Sequence, residues 1–150
     1  MDEDMRRLLL ETIVKLHPDE YAIVYIDPTE AGEARELFAH SSPFVSLTLT
    51  GEEASIVLRT SDWERLRGRV HSAKMAAPYR LITFDIVLDL SIVGFLAVVS
   101  AALAKEGVSI YAMSTYLKDH ILVKTGDAEK AVSILDSLVD EAKRSQPING

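Results

Sequence analysis

The chain has 150 residues, 48% of them apolar and 26% charged, with a formal net charge of −7 and no cysteine. That is enough for one ordinary domain or two very small ones. The charge argues against a broad nucleic-acid surface and against attraction to anionic membranes, and the missing cysteines exclude disulfides, thiolate nucleophiles and Cys-held metals.

The opening segment, Met1-Asp2-Glu3-Asp4-Met5-Arg6-Arg7, is charged and does not read as a signal peptide. The longest apolar stretch, residues 92–103, holds about a dozen residues and contains Gly94 and Ser100, against the ~20 apolar residues that span a bilayer. A soluble, cytoplasmic protein is the expectation.

Residues 3–16 carry Met5, Leu9, Ile13 and Leu16 at helical spacing, which predicts an amphipathic helix stopped by Pro18. The β-branched and aromatic run 21–26 predicts a buried strand. A helix follows over 30–40, with Thr29 as candidate N-cap. Residues 44–50 alternate apolar and polar, turn at Gly51-Glu52-Glu53 and return over 55–59, which predicts a hairpin. Ser61-Asp62-Trp63-Glu64 opens a short helix. Arg65, Arg67, Arg69, His71 and Lys74 then read as a solvated linker, since no aromatic interleaving supports a nucleic-acid patch. Pro78 marks the boundary between halves.

The second half predicts a strand over 81–88, a small-residue helix over 91–105 ended by Gly107, strands over 108–116 and 121–124, and a helix from 128 to about 143. Both halves therefore read βαββα, which suggests an internal duplication of a ferredoxin-like unit. The expected fold class is α+β: tandem βαββαβ-type units, each an antiparallel sheet with helices on one face. No fourth strand is visible after Lys143. The domain scheme that follows is an N-terminal helix over 1–17, a first, degenerate unit over 18–77, a second over 78–144, and a loose tail over 145–150.

The segment Asp89-Leu90-Ser91-Ile92-Val93-Gly94-Phe95-Leu96-Ala97 joins a strand to a helix. Gly107-Val108-Ser109, Ser114-Thr115-Tyr116, Asp119 and Ile121-Leu122-Val123 follow it. This combination resembles the ACT-domain family, and within it the two-ACT proteins similar to the CASTOR arginine sensors. A fainter resemblance runs through Leu16-His17-Pro18-Asp19-Glu20-Tyr21 and the first-half hairpin, so that residues 16–142 are covered. The resemblance implies a regulatory protein that binds a free amino acid at an interface between ACT units, without catalysis and without a cofactor. The strand–helix loop of one unit would face the edge strand of another, and the chain is expected to form a homodimer, with a further protein partner possible.

The residues themselves fit that expectation. The loop Asp89, Leu90, Ser91, Ile92, Val93, Gly94 leads into a helix N-terminus, whose free N–H groups and dipole favour a carboxylate. Gly94 permits close approach to the backbone or serves packing alone. Ser91 either caps the helix or touches the ligand. Val108, Ser109 and Ile110 start a strand whose main chain could pair with the α-amine and α-carboxylate, although Ser109 also reads as a plain exposed strand residue. Thr115 and Tyr116 end that strand. Asp119 serves turn geometry or, as the resemblance implies, reaches a ligand amine. Lys118 beside it could neutralise that carboxylate or meet a ligand carboxylate, and Val93 gives the pocket a more apolar character, so the identity of the amino acid stays open. His120 next to Asp119 has no second His at ligand spacing, so no metal is expected. Two other readings stand beside this one. One is a structural oligomerisation module. The other is a small ferredoxin-like enzyme using Asp119 with His120 or Asp85 with His71.

Overall fold

The Asp2 carboxylate accepts the Met5 N–H at 2.8 Å and caps the first helix, α1 (Glu3–Glu11). The helix is shorter than the expected 3–16. Thr12, in extended conformation, turns its hydroxyl back onto the Leu8 carbonyl at 2.6 Å and ends it. From Ile13 the chain is strand β1 (Ile13–Ile26). The spacing of Ile13 and Leu16 fits both periods, and pairing within a sheet decides for the strand. Pro18 lies inside β1 rather than ending a helix, ahead of Tyr21, where the antiparallel register with β3 begins. Its missing N–H therefore interrupts none of the β1–β3 pairs.

The computed structural model describes residues 1–145, so the expectation of a loose tail falls, from residue 146 on, outside the described residues. After β1 come α2 (Ala31–Ala39), β2 (Ser46–Leu49), β3 (Ala54–Arg59), α3 (Thr60–Leu66), β4 (Ala73–Asp85), α4 (Phe95–Lys105), β5 (Tyr111–Ser114), β6 (Asp119–Lys124) and α5 (Ala128–Arg144). The chain forms two compact units, Pro18–Tyr79 and Met1–His17 with Arg80 onward.

In the unit Pro18–Tyr79 the strand order is β2-β3-β1-β4. β3 pairs antiparallel with both β1 and β2, from Tyr21↔Arg59 to Ile26↔Ala54 and from Ser46↔Val57 to Leu49↔Ala54. Val24, Ile26, Leu37, Ile56, Leu58 and Trp63 form its core. Thr29 is not an N-cap. Instead the Asp27 carboxylate accepts the Thr29 N–H at 2.9 Å and its hydroxyl at 2.7 Å, holding a 3-10 turn before α2. The basic stretch read as a linker is largely structured: residues 67–69 close α3 in a 3-10 turn and Ala73 begins β4, which runs through Pro78.

In the other unit the order is β1-β4-β6-β5, drawing on residues 13–17 of β1 and 80–85 of β4. Counting strands along each βαββα module, both units show the order 4-1-3-2 of a ferredoxin-like sheet. The fourth strand missing from the second half is thus the segment that reads as the end of the N-terminal helix. Met5, Leu9, Ile82, Phe84, Phe95, Val99, Leu103, Ile121 and Leu135 share one core, so α1 belongs to this unit. Phe84 and Phe95 meet edge to face at 5.6 Å.

Candidate functional site

The helix expected from residue 91 begins at Phe95. Between β4 and α4 the Asp89 carboxylate accepts the Ser91 N–H at 2.8 Å and also its hydroxyl, and the Ile92 N–H reaches the Asp89 carbonyl at 3.0 Å. This folds residues 89–92 into a turn that carries the chain to Gly94, at φ +94°. That left-handed conformation is open to glycine and costly for other residues. A Cβ there would meet the Met5 methyl at an ordinary 3.8 Å, so backbone conformation and not crowding requires the glycine. No side chain caps α4. Its first ladder bond runs from the Val98 N–H to the Gly94 carbonyl at 3.0 Å, leaving the N–H groups of Phe95, Leu96 and Ala97 ahead of the ladder.

Across from this helix start stands the β5–β6 hairpin. Its turn is tied by the Thr115 N–H on the Lys118 carbonyl at 2.9 Å, and by the Thr115 hydroxyl on that same carbonyl at 3.0 Å. The turn makes Ser114 and Asp119 cross-strand partners, and the Ser114 hydroxyl donates to the Asp119 carboxylate at 2.6 Å. The Leu88 N–H donates to the Leu117 carbonyl at 2.9 Å and fastens the hairpin to the loop before α4.

Between these elements lies a cleft of about 270 Å³, lined by Leu88, Asp89, Leu90, Ile92, Gly94, Phe95, Leu96, Ala97, Ser114, Thr115, Lys118 and Asp119. It is open rather than filled by the protein's own side chains.

Six of the twelve residues expected from the sequence meet here: Asp89, Leu90, Ile92, Gly94, Thr115 and Asp119. The other six do not line it. Ser91 is held by Asp89, and with Val93 it faces a second groove beside the N-terminus of α1. Val93 is 89% exposed. Val108 is 4% exposed and packed in the core, because the Gly107 cap turns it inward and its N–H bonds the Leu103 carbonyl at 3.0 Å. β5 consequently begins at Tyr111 and not at 108. Ser109 precedes it in exposed coil, Ile110 packs against the core, and Tyr116 is 79% exposed. Sequence reasoning passed over Ser114, Leu88 and Leu96. The signal for Ser114 was the turn 115–118, which sets it opposite Asp119 by counting alone.

Lys118 lines the cleft, yet its ammonium pairs with Asp85 at 2.5 Å and not with Asp119. Lys15 approaches the same Asp85 carboxylate at 3.5 Å. The hydrogen bond and charge of Lys118, with Lys15 adding to them, hold Asp85 below the usual carboxylate range.

Asp119 and His120 are neighbours in β6 and so point to opposite faces of the sheet. The His120 ring is buried, with Nδ1 at 2.8 Å from the Thr83 hydroxyl. That hydroxyl also meets His17 Nε2 at 2.8 Å. Burial, then His17 and Lys118 against an opposing Asp119, depresses the His120 pKa. Of the second catalytic pairing, Asp85 is engaged by two lysines.

Comparison with known proteins fits this geometry. An ACT domain is found over residues 76–137. The match contains the helix start, the hairpin and every residue lining the cleft. No curated protein matches the chain. Among solved structures it is similar to a Vibrio cholerae protein of unknown function described as a possible transport protein, at 20% identity and TM-score 0.71, over 91% of this chain and 97% of that one. It is similar to an Agrobacterium tumefaciens protein at 26% identity and TM-score 0.65, over 85% and 89%. It is also similar to the regulatory subunit of aspartate kinase from Thermus flavus, at 14% identity and TM-score 0.62, over 83% and 95%. The α+β fold with antiparallel sheets and ferredoxin-like units is thus that of ACT regulatory domains. No helix among the described residues is long and apolar enough to cross a membrane.

Proposed function

We propose that the chain is a non-catalytic regulatory protein that binds a free amino acid in the cleft at the head of α4. The observation that carries this reading is the pairing, across one open cleft, of uncapped main-chain N–H groups with the Asp119 carboxylate. The first attract an α-carboxylate and the second an α-ammonium. The ACT domain over the cleft residues and the likeness to an aspartate kinase regulatory subunit support a regulatory role.

Regulation would come through assembly. Val87, Leu90, Val93, Tyr116 and Leu117 are exposed apolar side chains on the two loops around the cleft, a rim that suits closure by a second copy of the chain. A ligand held between copies would shift their packing, and a partner protein would read the shift. The same rim also suits a second reading, oligomerisation with no ligand.

Thermal-shift screening of the full chain against the twenty amino acids tests the proposal. At least one should raise the melting temperature by mass action, and both Asp119→Ala and Gly94→Trp should abolish that rise. A melting temperature indifferent to all twenty would favour the ligand-free module.

A further inference from the structure

We infer that the ligand's side chain is aliphatic. This rests on the proposed amino-acid site and assigns its class. The three charged groups that line the cleft already have partners within the protein: Asp89 holds Ser91, Lys118 holds Asp85 and Asp119 holds Ser114. One carboxylate, that of Asp119, is needed for the ligand ammonium. A cationic side chain would lie beside the Lys118 ammonium, and an anionic one beside Asp89, Asp119 and Asp85. An ionic side chain of either sign would thus meet a like charge in the wall.

Apart from the hydroxyls of Ser114 and Thr115 and the main-chain groups at the head of α4, the wall is hydrocarbon. Leu88, Leu90, Ile92 and Leu96 line the cleft, above the buried ring of Phe95. Leu90 is 74% exposed, so a side chain resting on it removes apolar surface from water on both partners. The cleft, about 270 Å³, has room for a branched aliphatic amino acid.

The test is calorimetry on the full chain with leucine, isoleucine, valine and alanine, against arginine, lysine, aspartate and serine. The best aliphatic amino acid should bind at least about tenfold tighter than any charged one. Leu96→Ser, on the half-buried surface of α4, should weaken leucine about tenfold while changing alanine by less than about twofold. Unchanged circular dichroism establishes that this variant folds, and Ile92→Ser replaces it if it does not. Arginine or aspartate binding more tightly than every aliphatic amino acid would overturn the assignment and leave the amino-acid site standing. So would leucine affinity indifferent to both substitutions. If none of the eight binds, the assignment fails, and the site fails with it only if the remaining twelve amino acids do not bind either.

Discussion

The Lys118 ammonium lies 2.5 Å from the Asp85 carboxylate, 33 residues back along the chain, and not on Asp119 beside it. The pairing bears on the proposed binding, because it keeps a cation off the Asp119 carboxylate. Asp85→Asn should release Lys118 toward Asp119 and weaken the amino acid by roughly 1 kcal/mol, about fivefold. Adding Lys118→Met to that variant should restore the affinity. Calorimetry on the two variants and the parent measures both changes.

Gly94 and Gly32 should respond in opposite directions to alanine. Gly94 sits at φ +94°, where a Cβ brings strain whatever the space around it. Gly94→Ala should cost about 1–2 kcal/mol, lowering the melting temperature by roughly 2–8 °C. Gly32 is in α2 with nothing near its missing side chain, and Gly32→Ala should stabilise by about 0.5–1 kcal/mol. Thermal denaturation followed by circular dichroism compares the two.

Asp62 is the buried anchor of the unit Pro18–Tyr79. Its carboxylate accepts from Arg59 Nε at 3.0 Å, Arg65 Nη2 at 3.1 Å and the Ser42 N–H at 3.3 Å. Burial pushes its pKa up, but the bonds from Arg59, Arg65 and Ser42 together outweigh that and hold it below the ordinary 3.8. The stability it provides is therefore present above about pH 4 and lost as the pH falls through the lowered value. Asp62→Ala should cost about 2–3 kcal/mol at neutral pH, less than a fully buried pair would, because both arginines can return to water. Urea denaturation should also show a shallower acid loss in Asp62→Asn than in the parent.

Stability should also fall in mild acid, for a different reason. The depressed pKa of His120 means that the folded protein takes up its proton at lower pH than the unfolded chain, whose ordinary value is 6.5. Its contribution is complete above about pH 6.5 and is lost as the pH drops through the folded value. Urea midpoints measured between about pH 7.5 and pH 5 should decline, and the decline should flatten in His120→Asn.

What the sequence revealed and what it hid divide along the range of the interactions. Gly107, the alternation of 44–50 and the loop 89–94 are local signals, and each led to a real hairpin, cap or helix start. The strand role of residues 13–17 is not local. Ile13 and Leu16 continue the helical spacing of Met5 and Leu9, and only placement beside β4, where Arg80 Nη2 grips the His17 carbonyl at 2.7 Å, makes them strand. Residues 73–78 were hidden likewise, since they are exposed and show no apolar alternation. Within the site, Asp89, Gly94 and Asp119 were legible because turns and helix starts demand such residues. Val108 and Tyr116 lie away from the cleft, the first turned inward after the Gly107 cap and the second exposed in the β5–β6 turn, and β-propensity distinguishes neither. The Lys118–Asp85 pair, spanning a whole strand–helix–strand module, left no trace in residue spacing.

The most direct measurement is the change in backbone amide NMR shifts of the full chain as leucine is added. Shifts concentrated at residues 94–97 and 114–119, saturating with one ligand per cleft, are the expected result. Saturable shifts confined to other residues, or none at millimolar leucine and every other amino acid, would contradict a binding site at the head of α4.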